Sequence, residues 1–153
     1  MNSLFQDDVI TISVASNPRF LTLIRCMVFN TALLLKFSEK ISREIMLAVD
    51  EAITNVIKHS YNQCYEKEII VSLHLKNDRL EIHIRDYGKK TDPSCIKSRD
   101  LNDIKPGGLG VFFIRKIMDH VEYDTSPEEG TLLKLIKYKT DCGPSPAGGH
   151  NGD

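Results

Sequence analysis

No stretch of this 153-residue sequence has the makings of a membrane span. Apolar runs such as Ala32 to Leu35 fall far short of the roughly 20 residues a spanning helix needs. The first residues, MNSLFQDDV, show no basic region followed by an apolar one, so no secretion signal is visible. Excess charge is missing too: 20 Lys and Arg stand against 21 Asp and Glu, a net charge of −1. The basic residues are scattered, which argues against direct nucleic-acid binding and against an anionic membrane surface. The four cysteines, Cys26, Cys64, Cys95 and Cys142, form no CxxC pair and fit no zinc spacing. Reduced thiols in a cytoplasmic protein are expected. No internal repeat is visible.

What is present is the composition of a soluble globular domain, 41% hydrophobic and 27% charged. A chain of this length is one domain by default and can bury a core without staples. The sequence centres on Ser42 to Tyr61, SREIMLAVDEAITNVIKHSY, which lacks Gly and Pro. Ile45, Ala48, Val49, Ala52, Ile53, Val56 and Ile57 recur at helical spacing. Glu51, Asn55 and His59 stand four apart, so they form one slanted stripe at the edge of the apolar arc. A carboxylate and an amide near a core edge are costly unless something binds them. His59 reads more readily as a satisfied core histidine than as a phosphate neighbour.

Around this helix the order is legible. Val9 to Ala15 alternates as a strand, and Asn17-Pro18 opens a helix running to Phe37. Ser38 or Ser42 caps the central helix. Ile69 to Leu75 and Leu80 to Ile84 form a hairpin through Asn77-Asp78. A polar loop, Lys89 to Pro106, is long enough to suggest function or disorder. Gly107-Gly108-Leu109-Gly110 leads into a short helix, Val111 to His120. Val121 to Thr125 and Thr131 to Tyr138 make a second strand pair, and residues 140–153 are expected to be a disordered tail. The expected fold is an α+β two-layer sandwich: a mixed, mostly antiparallel sheet covered on one face by three helices.

Three separated pieces carry chemistry. Asn55 can offer a carbonyl oxygen to Mg²⁺, and Glu51 stands one turn away, placed to accept a proton from an attacking hydroxyl. Asp86, in Asp86-Tyr87-Gly88 at a strand end, can accept a hydrogen bond from an exocyclic amine. Glycines 107, 108 and 110 let backbone N–H groups at a helix start approach phosphates.

In this order and spacing they resemble the Bergerat-type ATP-binding fold shared by gyrase, Hsp90, sensor histidine kinases and MutL. EAITN is similar to its N-box, DYG to its first glycine box, GGLG to its second and GTLLKLIKY to its closing strand. Within it, LAVDEAITNVIKHSY, IRDYGKKTDPS and GGLGVFFIRKIMDHVEYDTSPEEGT resemble the bacterial anti-sigma-factor serine/threonine kinases, over roughly Val9 to Lys139. The resemblance implies an ATP-binding kinase domain over residues 1–139, with Glu51 as catalytic base and Asn55 as Mg²⁺ ligand. It makes Asp86 the adenine reader, supported by Gly88, and Gly107, Gly108, Leu109, Gly110 and Val111 the ATP lid and phosphate grip. Thr131 would bring a hydroxyl near the adenine. The implied partners are a sigma factor, a STAS-domain antagonist carrying the phosphorylated Ser or Thr, and a second copy of the chain in a homodimer. Lys90 departs from the family by replacing the second glycine of Asp-x-Gly-x-Gly, so the chain cannot follow the same positive-φ path there without strain.

Three rivals remain. A non-catalytic, ATP-gated binding module has no need of Glu51. A detached sensor-kinase domain would work with an acceptor-histidine hairpin that does not precede the central helix here. A gyrase-like ATPase would need a transducer domain.

Overall fold

A computed structural model of the chain describes residues 7–90 and 109–140. Strand β1 (Asp8–Ala15) leads through a short 3-10 turn (Pro18–Phe20) into helix α1 (Leu21–Leu34). Asn17 caps that turn by accepting the Arg19 N–H at 3.1 Å. Helix α2 (Glu39–Asn55) follows and passes directly into one π-helical turn, Val56–Ser60. The β2–β3 hairpin (Glu68–Leu75, Arg79–Asp86), helix α3 (Leu109–Ile117) and strands β4 (His120–Asp124) and β5 (Leu132–Tyr138) complete the order.

Local chemistry sets the ends of the helical pair. Ser38 is the cap of α2, its hydroxyl accepting the Ile41 N–H at 3.2 Å. Ser42 is instead one turn inside and fully buried. Helix α1 stops because Lys36 takes a left-handed φ of 70°. Its N–H then bonds Leu33 and that of Phe37 bonds Ala32, the paired bonds of a Schellman ending.

The strands form one sheet in the order β1-β2-β3-β5-β4, with every ladder antiparallel. The parallel minority of a mixed sheet is absent among the described residues. The reason is connectivity: β1 and β2 are separated by two helices, and β3 and β5 by one helix and one strand. With two elements between them, three reversals leave each returning strand antiparallel to its neighbour.

Alternation divides the sheet faces. Ile69, Val71, Leu73, Leu75, Leu80, Ile82, Ile84, Leu133 and Leu135 are buried. They pack with Ile24, Val28 and Ala32 of α1, Ile45, Val49 and Ile53 of α2, and Ile114 of α3 in one core. The opposite positions, including Ser72, His74, Glu81, His83 and Lys134, are only half-buried. The fold is therefore the expected α+β sandwich, helices on one face and a polar face opposite. No helix among the described residues is long and apolar enough to cross a membrane.

Candidate functional site

Helix α2 is the common wall. Glu51 and Asn55 are both half-buried on it, one turn apart, at the margin of the core formed by Ala52, Ile53 and Val56. The α-helical ladder ends at Asn55, and the next turn is wider, with the Tyr61 N–H bonding Val56 five residues back at 3.0 Å. Such π turns recur at functional sites because they re-aim the backbone that follows. Past it, Asn62 and Gln63 both adopt positive φ, which reverses the chain towards β2. Beyond the last α-helical turn, His59 is exposed, so the expectation of a core histidine is overturned.

The first contact with α2 comes from α3. A Cβ added to Gly110 would lie 2.7 Å from Glu51 Cδ and 2.9 Å from its Cγ. Carbon atoms do not approach that closely. With any side chain at 110, either the Glu51 carboxylate or the start of α3 would have to move; glycine lets the two rest against each other. Two chain segments some 59 positions apart are thus brought together at the carboxylate. Val111 beside Gly110 is partly buried, whereas Leu109 is exposed.

The second contact comes from the end of β3. A Cβ on Gly88 would lie 2.7 Å from the Ser60 carbonyl carbon and 2.8 Å from the Tyr61 ring. Here too glycine is required by close approach. Asp86 itself is buried. Its carboxylate accepts the Gly88 N–H at 3.0 Å, and the Thr131 backbone also bonds it. Its own N–H donates to the Thr131 carbonyl at 3.1 Å. Burial pushes its carboxyl pKa up, opposed by those two backbone bonds and by the nearby Arg85 charge. Thr131 is buried immediately before β5. At Gly130, φ is 69° and a Cβ would stand 2.6 Å from the Asp86 carbonyl carbon, so that glycine too is fixed by its position.

The structure thus joins Glu51 to Gly110, Gly88 to the end of the α2–π segment, and Asp86 to Gly88 and Thr131. Gly107, Gly108, Cys95, Cys142, the loop beyond Lys90 and the tail from 141 lie outside the described residues. Lys90 has no positive φ; among the described non-glycine residues only Asp7, Lys36, Asn62 and Gln63 do. The chain therefore does not follow a left-handed glycine path there.

Sequence reasoning missed Tyr61 and Arg85. Tyr61 is buried and its hydroxyl bonds the backbone on both sides of the site's floor. Arg85 reads as an ordinary polar position on the sheet's open face. Nothing in its spacing announces that its guanidinium reaches three carbonyls, those of Asp86, Glu129 and Thr131.

Among the described residues, no group of three or more His, Cys, Asp or Glu could hold a metal ion. Mg²⁺ in nucleotide sites keeps waters and substrate phosphate oxygens and needs only one or two protein oxygens. A half-buried amide oxygen at Asn55, one turn from a carboxylate, suits that requirement.

Residues 14–137 match the model of the histidine kinase-like ATPase domain. The chain is 32% identical over 141 residues to the serine-protein kinase RsbW of Listeria innocua, covering 86% of this chain and 87% of that one. It is 31% identical over 141 residues to RsbW of Halalkalibacterium halodurans, covering 87% and 85%. Its fold resembles the crystal structure of the RsbU and RsbW domains of a Mycobacterium tuberculosis protein, with a TM-score of 0.62 at 13% identity. That match covers 86% of this chain and 32% of the longer one. A domain match over most of the chain, joined to relatives above 30% identity that match over more than four-fifths of both chains, places the chain in the histidine kinase-like ATPase domain family, among the RsbW-like anti-sigma-factor kinases.

Proposed function

We propose that the chain is an ATP-dependent serine/threonine protein kinase that phosphorylates a STAS-domain antagonist and sequesters a sigma factor. In this reading it works as a cytoplasmic homodimer. The observation that carries the reading is the seat of Gly110 on Glu51, which sets a carboxylate at the mouth of a glycine-led helix.

The residues divide the work as follows. Asp86 accepts a hydrogen bond from the exocyclic amine of adenine, with Gly88 and Thr131 holding its carboxylate. Gly107, Gly108, Leu109, Gly110 and Val111 present backbone N–H groups to the phosphates. Asn55 offers its amide oxygen to Mg²⁺, which when bound neutralises charge on the phosphate oxygens. Glu51 receives the proton of the substrate hydroxyl as its oxygen forms the bond to the γ-phosphorus. The bond from that phosphorus to the β-γ bridging oxygen breaks, and ADP departs.

Relatives carrying the serine-protein kinase name over nearly the whole chain support transfer to a hydroxyl. The test is incubation with labelled ATP and each STAS-domain protein of the same genome, beside capture of sigma factors on the immobilised chain. Label on one such protein, together with capture of a sigma factor, is expected. Tight ATP binding without transfer to any of them would favour an ATP-gated binding module.

A further inference from the structure

Asp86 occupies a corner rather than a strand interior. It is the last residue of β3, and the chain turns away at Tyr87-Gly88. A corner of this kind holds a side chain in place only if its backbone is pinned on both sides.

On the helical side the pin is Tyr61. Its ring is buried at the end of the π turn. The hydroxyl donates to the Glu68 carbonyl, at the first residue of β2, at 2.5 Å. The same oxygen accepts the Tyr87 N–H at 2.8 Å. One phenol thus spans the helix end, the start of β2 and the residue directly after Asp86. Burial raises the phenol pKa, with the Tyr87 N–H opposing, so the hydroxyl keeps the proton it donates. The neighbouring Ser60 carbonyl accepts the Lys89 N–H at 2.9 Å, and Gly88 packs against both residues.

On the sheet side the pin is Arg85. Its guanidinium donates to the carbonyl of Asp86 and to that of Glu129 at 2.7 Å. It also stacks 4.3 Å over the Tyr87 ring. The β4–β5 turn, through Gly130, lies directly on the Asp86 backbone.

We propose that Tyr61 and Arg85 are positioning residues for base recognition: they clamp the Asp86-Tyr87-Gly88 corner from its two sides and so fix where the Asp86 carboxylate meets a nucleobase. The inference rests on the reading of Asp86 as the adenine reader. Tyr61 acts on the ligand only through that carboxylate, so its effect must vanish when the carboxylate is gone.

The test is a double-mutant cycle read by calorimetric affinity for ADP and for inosine diphosphate, which carries an oxo group in place of the exocyclic amine. Tyr61→Phe keeps the buried ring and removes only the hydroxyl. It should weaken ADP binding by about fivefold to tenfold, the value of a hydrogen-bonded position lost, and leave inosine diphosphate nearly unchanged. In an Asp86→Asn background the same substitution should change ADP affinity by less than about twofold, the mark of two residues acting as one unit. Arg85→Lys, which cannot span several carbonyls, should give the same pattern and carries the test if Tyr61→Phe does not fold. A folded Tyr61→Phe protein with wild-type preference for ADP would overturn the inference. So would an equal loss with and without Asp86, which makes Tyr61 a residue of the fold alone. A wild type that binds the two nucleotides equally overturns the assignment of Asp86 itself, and the clamp falls with it.

Discussion

Gly110→Ala sets two physical effects against each other. In an exposed helix interior, replacing glycine by alanine stabilises by up to about 1 kcal/mol. Gly110 is the second residue of α3, so part of that gain is available. The new methyl would meet Glu51 Cδ at 2.7 Å and Cγ at 2.9 Å. Carbon pairs settle at about 3.5–4.0 Å, so either the Glu51 carboxylate or the start of α3 must move by about 1 Å. The Glu51 side chain is half-buried and can swing away from α3 at little cost in stability. A reacting group misplaced by about 1 Å costs about 10²-fold in rate. The variant should therefore unfold within a few degrees of the wild type while losing phosphoryl transfer by about two orders of magnitude. Thermal unfolding and an initial-rate transfer assay at saturating ATP separate the two effects. Wild-type transfer in a folded Gly110→Ala protein would refute the argument that this glycine exists to seat the base.

Because burial raises the Asp86 pKa, its ionised form opposes folding: that contribution is most favourable below the ordinary carboxylate value and is lost as pH rises through the raised one. Asp86→Asn should thus melt higher than the wild type at neutral pH, by a margin that shrinks on acidification, while binding ADP at least about tenfold more weakly. A melting difference that grows towards acid would contradict the sign. Asn55→Ala should fold normally and weaken ATP binding in Mg²⁺ far more than in EDTA; calorimetry showing equal losses in both would remove Asn55 as the metal ligand. Lys36→Gly relieves a left-handed residue at the end of α1 and should stabilise by about 1 kcal/mol in urea unfolding, with no change in transfer rate.

The sequence was most legible where period and chemistry coincide. Ile45, Ala48, Val49, Ala52 and Ile53 repeat at helical spacing and all are buried, and alternation in Leu80, Ile82 and Ile84 chose the covered face of β3 correctly. The place of Glu51 and Asn55 at the margin of the core was legible, because both fall at the edge of the apolar arc of the helix. The π turn was not, because its register depends on contacts from far along the chain: Ser60 is held by Lys89 and packed by Gly88. That turn also explains the error at His59, whose stripe position assumed an unbroken α-helix. Arg85 stayed hidden because its targets are backbone carbonyls, two of them on the β4–β5 turn, and carbonyls leave no trace in residue identity. The all-antiparallel sheet follows from counting connections, yet which strand lies beside β3 is decided by long-range packing.

In the proposed mechanism Glu51 is the residue on which transfer, rather than binding, depends. The direct measurement is the rate of phosphoryl transfer from labelled ATP to the phosphorylatable STAS-domain partner by the wild type and by Glu51→Gln, with ATP affinity determined on the same samples. The account predicts affinities within a few-fold of each other and a transfer rate lower by about 10²–10⁴-fold in the variant. Equal transfer rates at equal affinity would contradict it.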